Sequence, residues 1–203
     1  MKNATKTDYK KDQILKAAWN CFVHYGFEKT TMDDIASSIG MKKASLYYYF
    51  ENKEAIFKEV IEEEIDLFIK LTEDKLTKLT TSTDKLFYIF QSQFEFFRDK
   101  IIVLDLSVKL LVGARSIFHE MHKNFIDRKI ALIDTVIIEG IENGEFKKCD
   151  HRQVAELLHA LVESISFNRL QSAGVHSIED INFEKFENKV KYALNTFIYG
   201  IRS

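Results

Sequence analysis

A short stretch of this sequence, residues 42–50, carries side chains that bind phosphates and other polar groups. Two lysines begin it, Lys42 and Lys43, and hydroxyl-bearing residues follow, among them Ser45, Tyr47 and Tyr48. Lysine ammonium groups neutralise phosphates, and hydroxyl groups form hydrogen bonds with phosphate oxygens or with the edges of nucleic-acid bases. The chemistry that this stretch suggests is therefore non-covalent binding of nucleic acid.

The spacing of apolar residues predicts that this stretch is a helix with one buried face. Leu46 and Phe50 are four residues apart, which places them on the same side of a helix. Ala44 and Tyr48 then lie on the opposite side, and a small residue at position 44 lets the helix lie deep in a groove of DNA. The two lysines fall at the N-terminal end, where a recognition helix meets DNA.

A second short helix precedes this one. The sequence Thr31-Met32-Asp33-Asp34 has the form of a capping box and predicts a helix that runs to Ile39 and ends at Gly40. Lys53, at the start of the following helix, adds a cation beside backbone N–H groups that favour a phosphate. The two short helices fit a helix-turn-helix over residues 31–50, and they fit equally an ordinary helical hairpin with an aromatic face.

Residues 9–57 resemble the DNA-binding domain of the TetR family of bacterial regulators. The matching stretches occur in the family's order and spacing: ILKAA at 14–18, GFEKTTMDDIA at 26–36, GMKKASLYYYF at 40–50 and NKEAI at 52–56. The resemblance implies a DNA-binding domain over residues 8–57 and a ligand-binding and dimerisation domain over residues 58–203.

The same resemblance implies roles for individual residues near the helix-turn-helix. Thr31 is expected to cap its helix close to a phosphate, and Lys53 is expected to hold a phosphate. The residues on the exposed side of the second short helix, from Lys43 to Tyr48 apart from the buried Leu46, are expected to face DNA. Together with Lys42, which stands at the start of that helix, the predicted DNA-binding residues are Thr31, Lys42, Lys43, Ala44, Ser45, Tyr47, Tyr48 and Lys53.

The rest of the 203-residue chain is also patterned as helices. Apolar residues recur at helical spacing, no segment alternates as a strand does, and the chain contains 7 Gly and no Pro. Sandwiches and barrels use both residues at many turns, so an all-β fold is excluded. We predict an all-α protein of about nine helices, with separate helices at 84–98 and 101–112, a three-helix N-terminal head and a C-terminal bundle.

Charge and cysteine content narrow the function classes further. The chain has 29 basic and 31 acidic residues, which excludes a strongly basic nucleic-acid coat. Two distant cysteines do not indicate a disulfide framework, and the sequence shows neither a signal peptide nor an apolar run long enough to span a membrane. Together with the resemblance, these features predict a cytoplasmic bacterial protein that associates with the nucleoid and has no membrane partner.

The C-terminal part contains phenylalanines at helical spacing, which as a raw pattern favour a plain helix-bundle core. The family resemblance implies instead a cavity for a small-molecule effector, lined by aromatic and inward polar residues. The predicted pocket residues are Phe90, Phe94, Phe97, Arg115, Phe118, His122, Phe125, His159 and Glu163. His119 and His122 alone do not complete a zinc site, so neither a metal nor a cofactor is predicted.

The last two helices have wide apolar stripes that predict a subunit interface. Two such helices from each of two chains would bury these stripes in a four-helix arrangement. The family resemblance implies the same, and a two-fold dimer presents two recognition helices to a palindromic site. The predicted interface residues are Leu157, Leu161, Ile165, Val190, Leu194 and Phe197.

No arrangement of residues in the sequence supports catalysis, because it lacks a phosphate-binding Gly-rich loop, a G-x-S-x-G elbow and a C-x-x-C pair. We predict a homodimeric regulator, a repressor that a small apolar or amphipathic molecule releases from a palindromic operator in double-stranded DNA. One alternative is a chromosome-associated or division protein with the same DNA-binding head and a body that docks a protein. Another is a helical ligand-binding or enzymatic protein in which the motif is incidental.

Overall fold

The computed structural model describes residues 6–104, 115–172 and 183–202, and side chains for residues 8–93, 95–96, 123–165, 184 and 187–202. Eight helices follow one another in these ranges: α1 (Lys6–Tyr25), α2 (Met32–Ser38), α3 (Lys43–Tyr47), α4 (Lys53–Leu76), α5 (Ser82–Leu104), α6 (Arg115–Glu142), α7 (His151–Ser172) and α8 (Phe183–Ile201). Among the described residues, β-type pairing is limited to one antiparallel bridge between Phe146 and Arg202. The predicted all-α fold is confirmed.

One predicted helix boundary is absent from the structure. The sequence predicts separate helices at 84–98 and 101–112, whereas α5 runs without a break from Ser82 to Leu104. The residues between the two predicted helices, Asp99 and Lys100, interrupt the apolar pattern, but neither has the backbone constraints of glycine or proline that end a helix. Residues 105–112 of the second predicted helix lie outside the described residues.

The helix α3 is shorter than the predicted span of 42–50. Its last turn is tight, because the N–H groups of Tyr49 and Phe50 both donate to the carbonyl oxygen of Leu46, at 3.0 and 3.1 Å. The chain then reaches Asn52, whose side-chain oxygen accepts a 2.7 Å hydrogen bond from the Ala55 N–H and caps α4. Only five residues therefore separate the end of α3 from the start of α4.

The described residues divide into two compact units, and the boundary in α4 falls between Leu67 and Phe68. Residues 6–67 are termed the head; residues 68–99, 122–172 and 183–202 form the second unit, termed the body. Residues 100–104 and 115–121 group with the head. The predicted domain boundary after residue 57 stays a prediction. None of the described helices is long and apolar enough to cross a membrane.

A phenylalanine cluster forms the centre of the head, where α1 packs against α2 and α2 against α3. The Phe22 ring lies 5.5 Å from the Phe27 ring and 5.3 Å from the Phe57 ring, measured between centroids. The apolar stripe of α1 supplies much of the surrounding surface, as its spacing predicts. Leu46 and Phe50 enter this cluster, and they fix the position of α3.

Gly40 makes the turn between α2 and α3 possible. Its φ of +64° lies in the left-handed region, which a residue with a Cβ atom adopts only with strain. The Gly40 N–H donates to the Ser37 carbonyl at 3.1 Å, and the Met41 N–H donates to the Ala36 carbonyl at 2.8 Å. These bonds close α2 and set the direction in which α3 begins.

In the body, α7 packs against α8 around a core of branched apolar residues. Two contacts fix the position of the chain between α6 and α7. A Cβ atom on Gly140 would lie only 2.2 Å from the Phe146 ring, so only glycine lets that ring pack there. The Glu145 carboxylate accepts hydrogen bonds from the backbone N–H groups of Ser82 and Thr83, at 2.7 and 2.9 Å, and caps the start of α5.

Candidate nucleic-acid interface

The helix α3 presents an exposed face of polar and aromatic residues on one buried anchor. Leu46 is fully buried in the head core, while the predicted DNA-binding residues around it are exposed: Lys42, Lys43, Ala44, Ser45, Tyr47 and Tyr48. Tyr48 is 82% exposed, and its ring meets the half-buried Tyr49 ring edge-on at 5.3 Å. The anchor and the exposed face thus lie where the helical spacing predicts.

Lys43 is held by an acidic residue on the neighbouring helix. Its Nζ lies 2.5 Å from the Asp33 Oδ2, so the pair links the start of α3 to the first turn of α2. The hydrogen bond to Asp33 raises the pKa of Lys43, and the ammonium stays charged. Helical spacing does not reveal this partner, because the two residues are ten positions apart and on different helices.

Thr31 caps α2 through a capping box, as the sequence predicts. The Asp34 N–H donates to the Thr31 Oγ1 at 3.2 Å, and the Thr31 N–H donates to the Asp34 Oδ2 at 2.9 Å. The Thr31 hydroxyl also donates to that carboxylate at 2.7 Å, and this hydrogen bond lowers the pKa of Asp34. The cap fixes the α2 N-terminus at the surface of the head.

Lys53 has a structural role in addition to its predicted contact with a phosphate. Its Nζ donates hydrogen bonds to the carbonyl oxygens of Phe27 and Glu28, at 2.8 and 3.3 Å. The same ammonium lies 4.4 Å from the centroid of the Phe27 ring. Lys53 therefore ties the start of α4 to the turn after α1, and one of its three N–H groups remains for a phosphate.

The body brings together some of the residues predicted to line a pocket. Phe90 and Phe125 are buried, His159 is buried, and Glu163 is half-buried with its Oε2 3.9 Å from the His159 Nε2. The side chains of the other predicted pocket residues lie outside the described residues: Phe94, Phe97, Arg115, Phe118 and His122. The described part of the predicted pocket therefore consists of two aromatic rings and one polar pair.

The structure adds a residue that the sequence analysis missed, Lys129 on α6. Its side chain is 1% exposed, and its Nζ donates a 2.7 Å hydrogen bond to the Gln93 Oε1 on α5. The ammonium lies 5.9 Å from the centroid of the Phe90 ring and 5.7 Å from that of Phe125. A signal was present in the sequence, because Lys129 follows Phe125 by four residues on the apolar stripe of its helix.

The six predicted interface residues differ in exposure within the single chain. Val190 and Leu194 are buried in the core of the body, so other helices of the same chain already cover them. Leu161, Ile165 and Phe197 are half-buried. Leu157 is 52% exposed. Among the described side chains of α8, the most exposed rings are instead those of Tyr192 and Tyr199, at 76% and 81% exposure.

The described side chains contain no group of three His, Cys, Asp or Glu residues that could hold a metal ion. The histidine pair considered in the sequence analysis, His119 and His122, lies outside those side chains. Cys21 is buried in the head, and burial raises the pKa of its thiol, which suits a residue of the core better than a nucleophile.

Comparisons with known proteins agree with this geometry. Residues 14–60 match the family model described as "Bacterial regulatory proteins, tetR family". The chain is similar to the biofilm operon icaADBC HTH-type negative transcriptional regulator IcaR of Staphylococcus epidermidis, with 28% identity over 191 residues, 93% of this chain and 98% of that protein.

Solved structures of regulators have the same fold. A transcriptional regulator from Cytophaga hutchinsonii superposes with a TM-score of 0.84 at 28% identity, covering 97% of this chain and 100% of that one. The regulator FadR from Bacillus subtilis, solved in complex with stearoyl-CoA, superposes with a TM-score of 0.67 at 21% identity, covering 94% and 99%. The prediction of a regulator rather than an enzyme is confirmed by these relatives. Residues 14–60 thus match the TetR family, and the chain as a whole is similar to transcriptional regulators.

Proposed function

We propose that this chain is a homodimeric repressor that acts on DNA in the bacterial cytoplasm. It binds a palindromic operator and leaves it when a small apolar or amphipathic molecule binds the body. The observation that carries the proposal is the surface of α3, where Lys43, Tyr47 and Tyr48 are exposed on a helix fixed by the buried Leu46. The family match over residues 14–60 supports the same assignment.

The proposed contacts with DNA divide into two kinds. Lys42 and Lys43 neutralise phosphates at the N-terminal end of α3, which enters the major groove. The hydroxyl groups of Ser45, Tyr47 and Tyr48 reach base edges or phosphates, and they carry the part of the affinity that depends on sequence. The N-terminus of α2, which Thr31 caps, lies against a phosphate in the proposed complex.

The proposed dimer forms through α7 and α8. These helices pack against each other in the body, and three large side chains among those that the structure describes on them are exposed, namely Leu157, Tyr192 and Tyr199. A second copy related by a two-fold axis would cover these side chains and gain hydrophobic free energy from their burial. Leu161, Ile165 and Phe197, which are half-buried in one copy, lie at the margin of the proposed interface.

Two relatives support repression and control by an effector. IcaR is described as a negative regulator, and the FadR structure contains stearoyl-CoA. In the proposed mechanism, the effector binds one conformation of the dimer more tightly than the other, and the preferred conformation has low affinity for the operator. The coupling is reciprocal, so operator DNA weakens effector binding by the same factor.

The experiment that tests the proposal is a selection of genomic DNA fragments by the purified full-length chain, followed by affinity measurements on the enriched fragment at fixed salt. The wild type is expected to select a palindromic sequence. The double variant Lys43→Ala, Tyr48→Ala is expected to lose at least about a hundredfold in affinity, because one phosphate contact and one side chain facing the bases are removed.

The matched control is the double variant Lys70→Ala, Lys78→Ala, which removes two exposed lysines of the body. It removes more positive charge than the test variant and is expected to keep the operator affinity within about threefold. Size-exclusion chromatography with light scattering on all three proteins is expected to give a dimer. Equal operator affinity of the wild type and the Lys43, Tyr48 variant would contradict the proposal.

A further inference from the structure

The body contains a buried cation whose hydrogen-bond partner is neutral. Lys129 is almost completely removed from solvent, and its ammonium donates to the Gln93 amide oxygen at 2.7 Å. Within the described part of the chain, no carboxylate pairs with this ammonium at ion-pair distance. A buried ammonium normally needs a negatively charged partner, because an amide oxygen does not replace the hydration that the charge has lost.

The electrostatic surroundings of Lys129 are consistent with this geometry. Burial lowers the pKa of the Lys129 ammonium to about 8, and the negative charge of Glu163 offsets only part of that lowering. The Glu163 carboxylate also faces His159, whose Nε2 lies 3.9 Å from its Oε2. The charge of Glu163 is thus shared between two neighbours and does not compensate Lys129 fully.

The three helices that meet here supply both apolar and polar groups. Phe90 and Gln93 come from α5, Phe125 and Lys129 from α6, and Glu163 from α7. The Phe90 and Phe125 rings near the ammonium offer apolar surface. Lys129 offers the two ammonium hydrogens that are not bonded to Gln93, and Gln93 offers its amide NH₂ group. This combination matches a molecule with an apolar part and a compact negatively charged end.

We propose that Lys129, oriented by Gln93, binds the anionic head group of the effector, a carboxylate, sulfonate or similar oxyanion on an aromatic or aliphatic chain. The inference rests on the proposed function and names the chemical class of its effector. The oxyanion supplies the counter-charge, Gln93 donates its NH₂ group to the same oxyanion, and Phe90 and Phe125 contact the apolar part. A cationic head group is disfavoured, because it would add a second buried positive charge beside Lys129.

The test uses two fluorescent probes that share an N-phenyl naphthylamine skeleton and differ in one group. Anilinonaphthalene sulfonate is anionic, and N-phenyl-naphthylamine is neutral. Each probe is titrated into the full-length wild type, Lys129→Met, Lys129→Arg and Lys123→Met. The last variant removes an exposed lysine from the same helix and serves as the matched control.

The anionic probe is expected to bind Lys129→Met at least about tenfold more weakly than the wild type, since a charged hydrogen bond in a buried site is lost. Lys129→Arg, which keeps the positive charge, is expected to retain most of the affinity, and Lys123→Met all of it. The neutral probe is expected to bind all four proteins within about twofold, which shows that the variants keep a folded body.

Equal affinity of the anionic probe for wild type and Lys129→Met, or no saturable binding by the wild type, would overturn the inference. A parallel loss of both probes in Lys129→Met would also overturn it, because the lysine would then support the packing of the body rather than a head group. These outcomes leave the proposed function intact as long as probe-free Lys129→Met binds the operator like the wild type. Loss of the proposed function appears separately, in the Lys43, Tyr48 variant.

Discussion

Lys43 in the head and Lys129 in the body are both lysines with one short hydrogen bond, yet their surroundings differ in every other respect. Lys43 is exposed and paired with a carboxylate, and the hydrogen bond to Asp33 raises its pKa. Lys129 is buried and bonded to a neutral amide, and burial lowers its pKa to about 8. An exposed lysine is suited to a large anion that approaches from solvent, whereas a buried one is suited to a small anion that becomes enclosed.

A third lysine, Lys53, sharpens this comparison, because it is half-buried and bonded to backbone. Lys53→Met removes its hydrogen bonds to Phe27 and Glu28 and its contact with the Phe27 ring. We expect a loss of about 2 kcal/mol in the free energy of unfolding, measured with urea in the absence of DNA. The control is Lys42→Met, an exposed lysine without such bonds, which is expected to keep the wild-type stability. Equal stability of the two variants would show that Lys53 does not hold the turn.

The effect of pH on Lys129 gives the next prediction. The pKa of Lys129 is lowered from 10.5 to about 8. Below pH 8 the buried ammonium is charged and lowers the free energy of unfolding of the wild type. Between pH 8 and pH 10 the folded protein loses this proton before the unfolded chain does, so the free energy of unfolding rises with pH. Lys129→Met lacks the titrating group, so its free energy of unfolding does not gain this rise. We expect the free energy of unfolding of the variant, relative to that of the wild type, to fall by about 1 kcal/mol between pH 7 and pH 9. A pH-independent difference in urea unfolding would place Lys129 in contact with water.

Asp33 gives the smallest effect and tests the exposed side of the comparison. In free protein its carboxylate holds the Lys43 ammonium at 2.5 Å and competes with a phosphate for that cation. Asp33→Asn keeps the shape of the side chain and removes the negative charge, so operator affinity at low salt is expected to rise by about fivefold. Ser37→Ala, an exposed change on the same helix, serves as the control. Unchanged or weaker affinity in Asp33→Asn would mean that this pair orients Lys43 for DNA.

The two lysines also show which parts of the account follow from the sequence alone. The exposed face of α3 is readable from local spacing, since Leu46 and Phe50 define the buried side within one helix. The environment of Lys129 depends on Gln93 and Phe90, which are more than thirty residues away, and no local pattern specifies that meeting. For the same reason, the ion pair between Asp33 and Lys43 is not readable from local spacing, because the two residues lie on different helices.

The apolar stripes of the last helices illustrate a second limit. Periodicity shows that a face is apolar but does not show which surface covers it. Val190 and Leu194 belong to the stripe and are buried by other residues of their own chain. Leu157, Tyr192 and Tyr199 remain exposed on the helices predicted to form the interface. The uninterrupted α5 has a similar origin, because a polar pair within a stripe changes the pattern without ending the helix.

The salt dependence of operator affinity tests most directly the claim that α3 binds DNA through Lys43. The logarithm of the association constant is measured against the logarithm of salt concentration for wild type, Lys43→Met and Lys129→Met. The account predicts that Lys43→Met reduces the magnitude of the slope by about one, because one phosphate contact is lost, and that Lys129→Met leaves the slope unchanged. An unchanged slope in Lys43→Met would contradict it.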